Sequence, residues 1–205
     1  MDAAGRYNLE FQNQPWANGA VFMLNPNPEL PNTEDQPTKA SLSYSFLLAN
    51  RLYDPKKKQA EGELDGEYLD SLESWMDTLD YRPAHIQTCP YPLTFSTETR
   101  TPAIPQWYSL FTFARFMRDD LHNRGKFFMA NTTPVRFTIF SPLFDVMGIE
   151  VNWLPSTGWQ PDSDATMNLR RTMSAQKPYL LLMNTDYNRF TTEYVERYFQ
   201  ECLFY

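Results

Sequence analysis

Two carboxylates stand out as residues that could do chemistry. Asp70 closes the short apolar run Tyr68-Leu69, within Glu67-Tyr68-Leu69-Asp70-Ser71-Leu72-Glu73. Glu150 lies in Gly148-Ile149-Glu150-Val151-Asn152-Trp153, with apolar neighbours on both sides. A carboxylate set among apolar residues is costly unless it is paired, hydrogen-bonded or functional. Two carboxyls facing one cleft are what glycoside hydrolysis requires, one as nucleophile or base and one as proton donor. The plain competing reading is a structural ion pair, for Glu150 with Arg170 or Arg171.

Around this pair the sequence supplies groups suited to a sugar. Asn25, Asn131, Asn152, Asn184 and Asp186 could bond hydroxyls, and Glu73 lies three residues after Asp70. Trp75, Trp153, Trp159 and Tyr187 offer flat rings for pyranose faces. Oxygen ligands at Asp70, Glu73 and Glu150 leave a metal-dependent hydrolase or lyase open. The only histidines, His85 and His122, are not at metal-ligand spacing, so neither a dedicated metal site nor a cofactor is expected. Neither G-x-G-x-x-G, G-x-x-x-x-G-K-[ST] nor G-x-S-x-G occurs.

These side chains need elements to position them. Five short apolar runs read as strands: Ala20 to Leu24, Tyr68-Leu69, Phe127 to Ala130, Val146 to Ile149, and Tyr179 to Met183. The longer ones are near-continuous, as in parallel strands covered on both faces. Each ends in a carboxylate or carboxamide: Asn25, Asp70, Asn131, Glu150 and Asn184 in turn. Between them, Trp107, Leu110, Phe111, Ala114, Met117 and Leu121 form one helical stripe, and His122 to Gly125 supplies its stop. Phe190, Tyr194, Val195, Tyr198, Phe199, Cys202 and Leu203 form another. A less regular stripe covers Ala40 to Tyr53, and Asp162-Ser163-Asp164 could cap a helix to about Ala175. Strands alternating with helices predict an α/β protein with a parallel sheet, doubly wound or closed as a barrel. The eight-stranded TIM-type barrel is favoured, with its active site at the C-terminal strand ends. Only five strands are counted in 205 residues, so a single partial barrel domain over 1–205, a fragment covering the middle and later strands, is expected. The segment Tyr81 to Pro105, rich in Pro and Thr, reads as a long loop or lid.

With Tyr68-Leu69-Asp70-Ser71 on a strand, the chain resembles barrel glycosidases of the retaining, α-galactosidase-like kind. In that family the nucleophile is an Asp ending the fourth strand, and the acid/base ends the sixth. The resemblance spans Ala20 to Tyr205 at the level of architecture and implies Asp70 as nucleophile and Glu150 as acid/base. It departs at two positions. Tyr68 stands where the family places a lysine, and Glu150 stands where it places an aspartate.

The totals limit the other classes. A chain of 205 residues, 42% hydrophobic and 16% aromatic, has material for a sizeable core. The net charge of −7 and the lack of a basic stripe argue against nucleic acid as a partner. Lys56-Lys57-Lys58 is answered by Glu61, Glu63 and Asp65 and reads as a solvated helix end. Cys89 and Cys202 could form one disulfide but give no framework. No apolar stretch reaches membrane-spanning length. The expected function is a glycosidase acting on a carbohydrate. A non-catalytic carbohydrate-binding barrel is the first alternative.

Overall fold

A computed structural model of the chain describes residues 2–6, 9–13, 18–22, 24–32, 53–54, 56, 64–74 and 76–205. In chain order its elements are β1 (Leu9–Gln12), β2 (Gly19–Phe22), β3 (Gly66–Leu69), β4 (Leu79–Asp80), α1 (Pro83–Thr88), β5 (Thr94–Phe95) and β6 (Pro102–Pro105). There follow α2 (Gln106–Asn123), β7 (Phe127–Asn131), β8 (Val146–Val151), α3 (Asp164–Met173), β9 (Tyr179–Met183) and α4 (Thr192–Phe204). Two 3-10 turns lie at Thr138–Leu143 and Tyr187–Arg189. The protein is thus mixed α/β, and its contacts gather in two units. One is Met1–Leu64 with Trp75–Asp119, the other Asp65–Ser74 with Asp120–Tyr205.

The second unit is built on a four-stranded parallel sheet in the order β3-β7-β8-β9. Strand pairing is in step, with Leu69 opposite Ala130, Ala130 opposite Met147, and Ile149 opposite Leu181. Side chains alternate between faces along each strand. One face carries Leu69, Phe128, Ala130, Met147, Val151, Leu181 and Met183, all buried. Val151, Leu181 and Met183 pack with Trp153 and with Met167 of α3, and Tyr198 of α4 closes on the same cluster. The other face is partly open, with Tyr68 45% and Leu180 38% exposed. It is this open face that carries Glu150.

Local signals explain the helix ends. Ser163 caps α3, its hydroxyl accepting the Thr166 N–H, with Asp164 in the first turn and Arg170 and Arg171 in the last. The chain leaves α3 through Ala175 and Gln176, both at positive φ. After α2, Gly125 adopts φ +68° while its N–H bonds the His122 carbonyl and Lys126 N–H bonds that of Leu121. The buried stripe of α2 is Leu110, Phe113, Ala114, Met117 and Leu121. Trp107 and Phe111, expected inward, are only half-buried, and Phe113 takes the inner place.

Two expectations change in the first unit, and a third falls outside the described residues. The run from Ala20 to Leu24 is no strand of the parallel sheet, because β2 pairs antiparallel with β1, Leu9 opposite Phe22. Tyr81 to Pro105 is not a structureless lid: it holds α1, started by Pro83, and strands of a small antiparallel sheet ordered β4-β6-β5. The stripe from Ala40 to Tyr53 lies outside the described residues except for Tyr53, and so do Lys57 and Lys58. Both cysteines are free thiols. Among the described residues no helix is long and apolar enough to cross a membrane.

Candidate functional site

The in-step parallel pairing brings four strand ends of the second unit to one edge. Asp70 follows β3, Asn131 closes β7, Glu150 is the next-to-last residue of β8, and Asn184 follows β9. Alternation sets their side chains on the same, open face of the sheet.

One amide joins the two carboxylates. Asn131, 1% exposed, donates from Nδ2 to Asp70 Oδ1 at 2.8 Å and to Glu150 Oε1 at 3.0 Å. Its own Oδ1 accepts the Thr132 N–H at 2.7 Å, which fixes which end of the amide faces the acids. Two acceptors on one amide nitrogen at these distances lie less than about 6 Å apart. Asn184 Nδ2 donates to the second Glu150 oxygen at 2.9 Å. On Asp70 the second oxygen accepts from Ser71 Oγ at 3.1 Å, and the Tyr68 phenol lies near enough to feel the charges of both acids. Burial, together with the charges of Asp70 and Glu150, pushes the Tyr68 hydroxyl up to about 12, so it stays a donor near neutrality. Asp70 and Glu150 themselves are exposed and reachable.

The backbone at this edge is constrained as well. Ser71 and Thr132, the residues directly after Asp70 and Asn131, sit at φ +55° and +56°. A non-glycine residue in that region costs about 1–3 kcal/mol, and such positions gather at functional sites. The two turns interlock, Leu72 N–H bonding the Asn131 carbonyl and Glu73 N–H that of Thr132. Between β8 and β9 the close approach is at Gly148, where a Cβ would lie 2.6 Å from the Leu180 carbonyl oxygen.

Compared with family models, curated proteins and solved structures, the chain finds no match. The site must therefore be read from its own geometry.

The remaining predicted residues lie elsewhere or do other work. Glu73 is 2% exposed and accepts from Thr133 Oγ1, Val135 N–H and Arg136 N–H, so it orders the loop after β7. The set Asp70, Glu73 and Glu150 is not gathered, and no cluster of three or more potential metal-ligating side chains occurs among the described residues. Trp153 is 2% exposed, its ring edge-on to Tyr198 and its indole N–H bonded to Asp162. It is a core residue and presents no face to a ligand. Trp159 likewise packs on this core and stacks on Tyr194. Asn152 Oδ1 accepts the Leu154 N–H, and Asp186 caps the Tyr187–Arg189 turn through the Asn188 N–H. Both are turn-forming and stay exposed. Trp75 is outside the described residues. Tyr187, 70% exposed, is the exposed ring near Asn184, its hydroxyl tied to the Met183 carbonyl. Asn25 belongs to the first unit, where it bonds Asp80. Of the two cations proposed for a competing ion pair, Arg170 pairs with Asp162, and both Glu150 oxygens accept from asparagine amides rather than from Arg170 or Arg171.

Sequence reasoning treated Tyr68 only as a departure from a family pattern. The available signal was its spacing: two residues before Asp70 on a strand, it shares that carboxylate's face.

Proposed function

We propose that the second unit carries the paired-carboxylate site of a retaining glycosidase, built on later strands of a β/α barrel. The observation that carries this reading is the Asn131 amide shared by Asp70 and Glu150. The limit it sets admits the about 5–5.5 Å between carboxyls of retaining enzymes and lies below the about 6.5–9.5 Å of inverting ones. The site's position at C-terminal ends of neighbouring parallel strands, and the succession of the four strands across the sheet in chain order, support a barrel arrangement.

In this mechanism Asp70 attacks the anomeric carbon as the glycosidic bond breaks, and Glu150 gives its proton to the departing oxygen. Water then cleaves the glycosyl ester while the Glu150 carboxylate takes the proton from that water. Asn131 and Asn184 orient the carboxylates, and the Tyr68 hydroxyl supports the charge on Asp70. Tyr187 supplies a ring for stacking on the sugar.

The test is turnover of a panel of aryl α- and β-glycosides by the full chain. Wild type should release the phenol, and Asp70→Gly should not until azide is added, when a glycosyl azide of inverted anomeric configuration should form. Release that Asp70→Gly leaves unchanged, or absence of turnover across the panel, refutes the reading.

A further inference from the structure

In the first unit His85 is 3% exposed, and both of its ring nitrogens meet acceptors. Nδ1 lies 2.6 Å from Asp80 Oδ2, and Nε2 lies 3.2 Å from the Pro31 carbonyl oxygen. A carbonyl oxygen has no hydrogen to give, so the second contact is a bond only when Nε2 carries a proton. The first contact needs a proton either on Nδ1 or on Asp80. Asp80 also accepts from the Asn25 amide at 2.7 Å and from the Arg82 N–H at 3.0 Å. Burial raises its carboxyl, yet the bonds from His85, the Arg82 N–H and Asn25 hold it below 3.8. It is therefore ionised throughout the range of about pH 5–8 in which histidines change charge. An ionised carboxylate only accepts, so Nδ1 must carry a proton as well. A neutral imidazole has one N–H, and this ring needs two.

The two protons hold different pieces of chain. The bond on Nδ1 closes the turn between β4 and α1, where its partner is five residues away. The bond on Nε2 reaches 54 residues back, to the end of Asn25-Pro26-Asn27-Pro28-Glu29-Leu30-Pro31. The start of that segment is tied to the same carboxylate through Asn25. Its middle is braced internally, the Asn27 N–H on Asn25 Oδ1 and the Glu29 N–H on Asn27 Oδ1. Leu30, 4% exposed, is the side chain the segment buries beside Pro31. On the elements that meet the ring, the charged groups are Asp80 of β4, Arg82 before α1, and Glu29 of the segment. Glu29 is turned to the Tyr91 hydroxyl at 2.7 Å and to Arg115 at 3.5 Å. β6, which packs against α1, is Pro102-Ala103-Ile104-Pro105 and brings no charge.

We propose that His85 is a proton-operated latch: the doubly protonated ring holds segment 25–31 against α1, and loss of one proton releases the Pro31 end. The proton lost to water is the one on Nε2. Losing that on Nδ1 would leave the buried Asp80 charge facing a bare lone pair. Once Nε2 is bare, its lone pair and the Pro31 carbonyl repel each other. Asn25 keeps its bond to Asp80, so the segment opens at one end and uncovers Leu30. Only the closed state uses both ring protons, so closure is favoured at lower pH and lost as pH rises through the folded-state titration of the ring.

The experiment is NMR of the full chain, with the histidine ring nitrogens and leucine methyls labelled, over about pH 5 to 9. His122→Gln leaves a single histidine and so assigns the His85 signals. At the acid end both ring nitrogens should be protonated. With rising pH Nε2 should lose its proton while Nδ1 keeps its own, and the Leu30 methyl signals should move with the same midpoint. Asp80→Asn removes the carboxylate that demands the Nδ1 proton and should lower that midpoint. His85→Gln should leave the Leu30 signals flat over the whole range. The titration of the unsubstituted chain decides even where these two variants fold poorly. A ring that keeps both protons throughout, or carries one throughout, overturns the latch. So do Leu30 signals that ignore the ring's titration.

Discussion

The protein uses the same residue types twice, with opposite outcomes. In the first unit Asp80 accepts from Asn25 Nδ2 at 2.7 Å, and its bond with His85 Nδ1 is 2.6 Å. Its other oxygen takes the Arg82 N–H, and His85 Nε2 faces the Pro31 carbonyl. The side chains of His85 and Asp80 are 4% and 8% exposed. In the second unit the asparagines again donate to carboxylates, but Asp70 and Glu150 stay open to solvent. Asparagine beside a carboxylate thus marks a clasp where water is excluded and a site where it is not. Exposure, more than residue identity, separates the two.

This contrast can be broken by substitution. Asp70→Asn should lower glycoside turnover about 10³-fold or more, with a change in stability within about 0.5 kcal/mol because the residue is exposed. Glu150→Gln should cost about 10²–10⁴-fold in turnover. Asp80→Ala should do the reverse of Asp70→Asn: removing one partner of a buried pair costs about 3–5 kcal/mol, read as a drop in denaturant midpoint. An Asp80 variant as stable as wild type would erase the distinction between clasp and site.

Asn131→Ala tests the bridge itself. Two hydrogen bonds to charged groups vanish, and the acids lose the donor that spaces them. Turnover should fall about 10²-fold, the scale of a 1 Å misplacement of a reacting group. Failure of Asn131→Gln to restore turnover would show that an amide alone is insufficient and that its position sets the spacing.

The two clusters also differ in their pH limits. Burial raises the Asp80 carboxyl, but the bonds from His85, the Arg82 N–H and Asn25 outweigh it and leave the group below its ordinary value of 3.8. Its contribution is therefore present above pH 3.8 and fades as pH falls through the lower folded-state value. Tyr68 is shifted the other way, from 10.0 to about 12, so its contribution holds below pH 10 and is lost as pH rises toward 12. Tyr179 shares that window. In pH-dependent melting, Asp80→Asn should remove part of the acid limb and Tyr68→Phe part of the alkaline one.

Much of the second unit was legible because its signals are local and mutually consistent. Phe127 to Ala130, Val146 to Ile149 and Tyr179 to Met183 are apolar runs too short for helices, and each became a parallel strand. Once their register is in step, Asp70, Asn131, Glu150 and Asn184 must share an edge. The first unit was far less legible. Strands of two residues, such as Leu79–Asp80 and Thr94–Phe95, show no period, and the partner of β2 is a four-residue strand with Leu9 and Phe11 exposed. Asn25 was misread for that reason: an apolar run followed by asparagine looks alike whether it ends a parallel strand or enters a clasp. Trp153 was misread because its partner, Asp162, is nine residues away, and nothing in the order of residues reveals that the indole N–H is taken.

The close approach at Gly148 carries a consequence for how this protein can vary. A side chain there would drive β8 from β9 and spread Glu150 from Asn184, so Gly148→Ala should be rejected by folding. Two residues on, Glu150 is exposed, and substitutions there should survive folding and be rejected only by chemistry. Neighbouring positions of one strand are thus screened by different selections, and a library sorted first for expression and then for turnover would separate them.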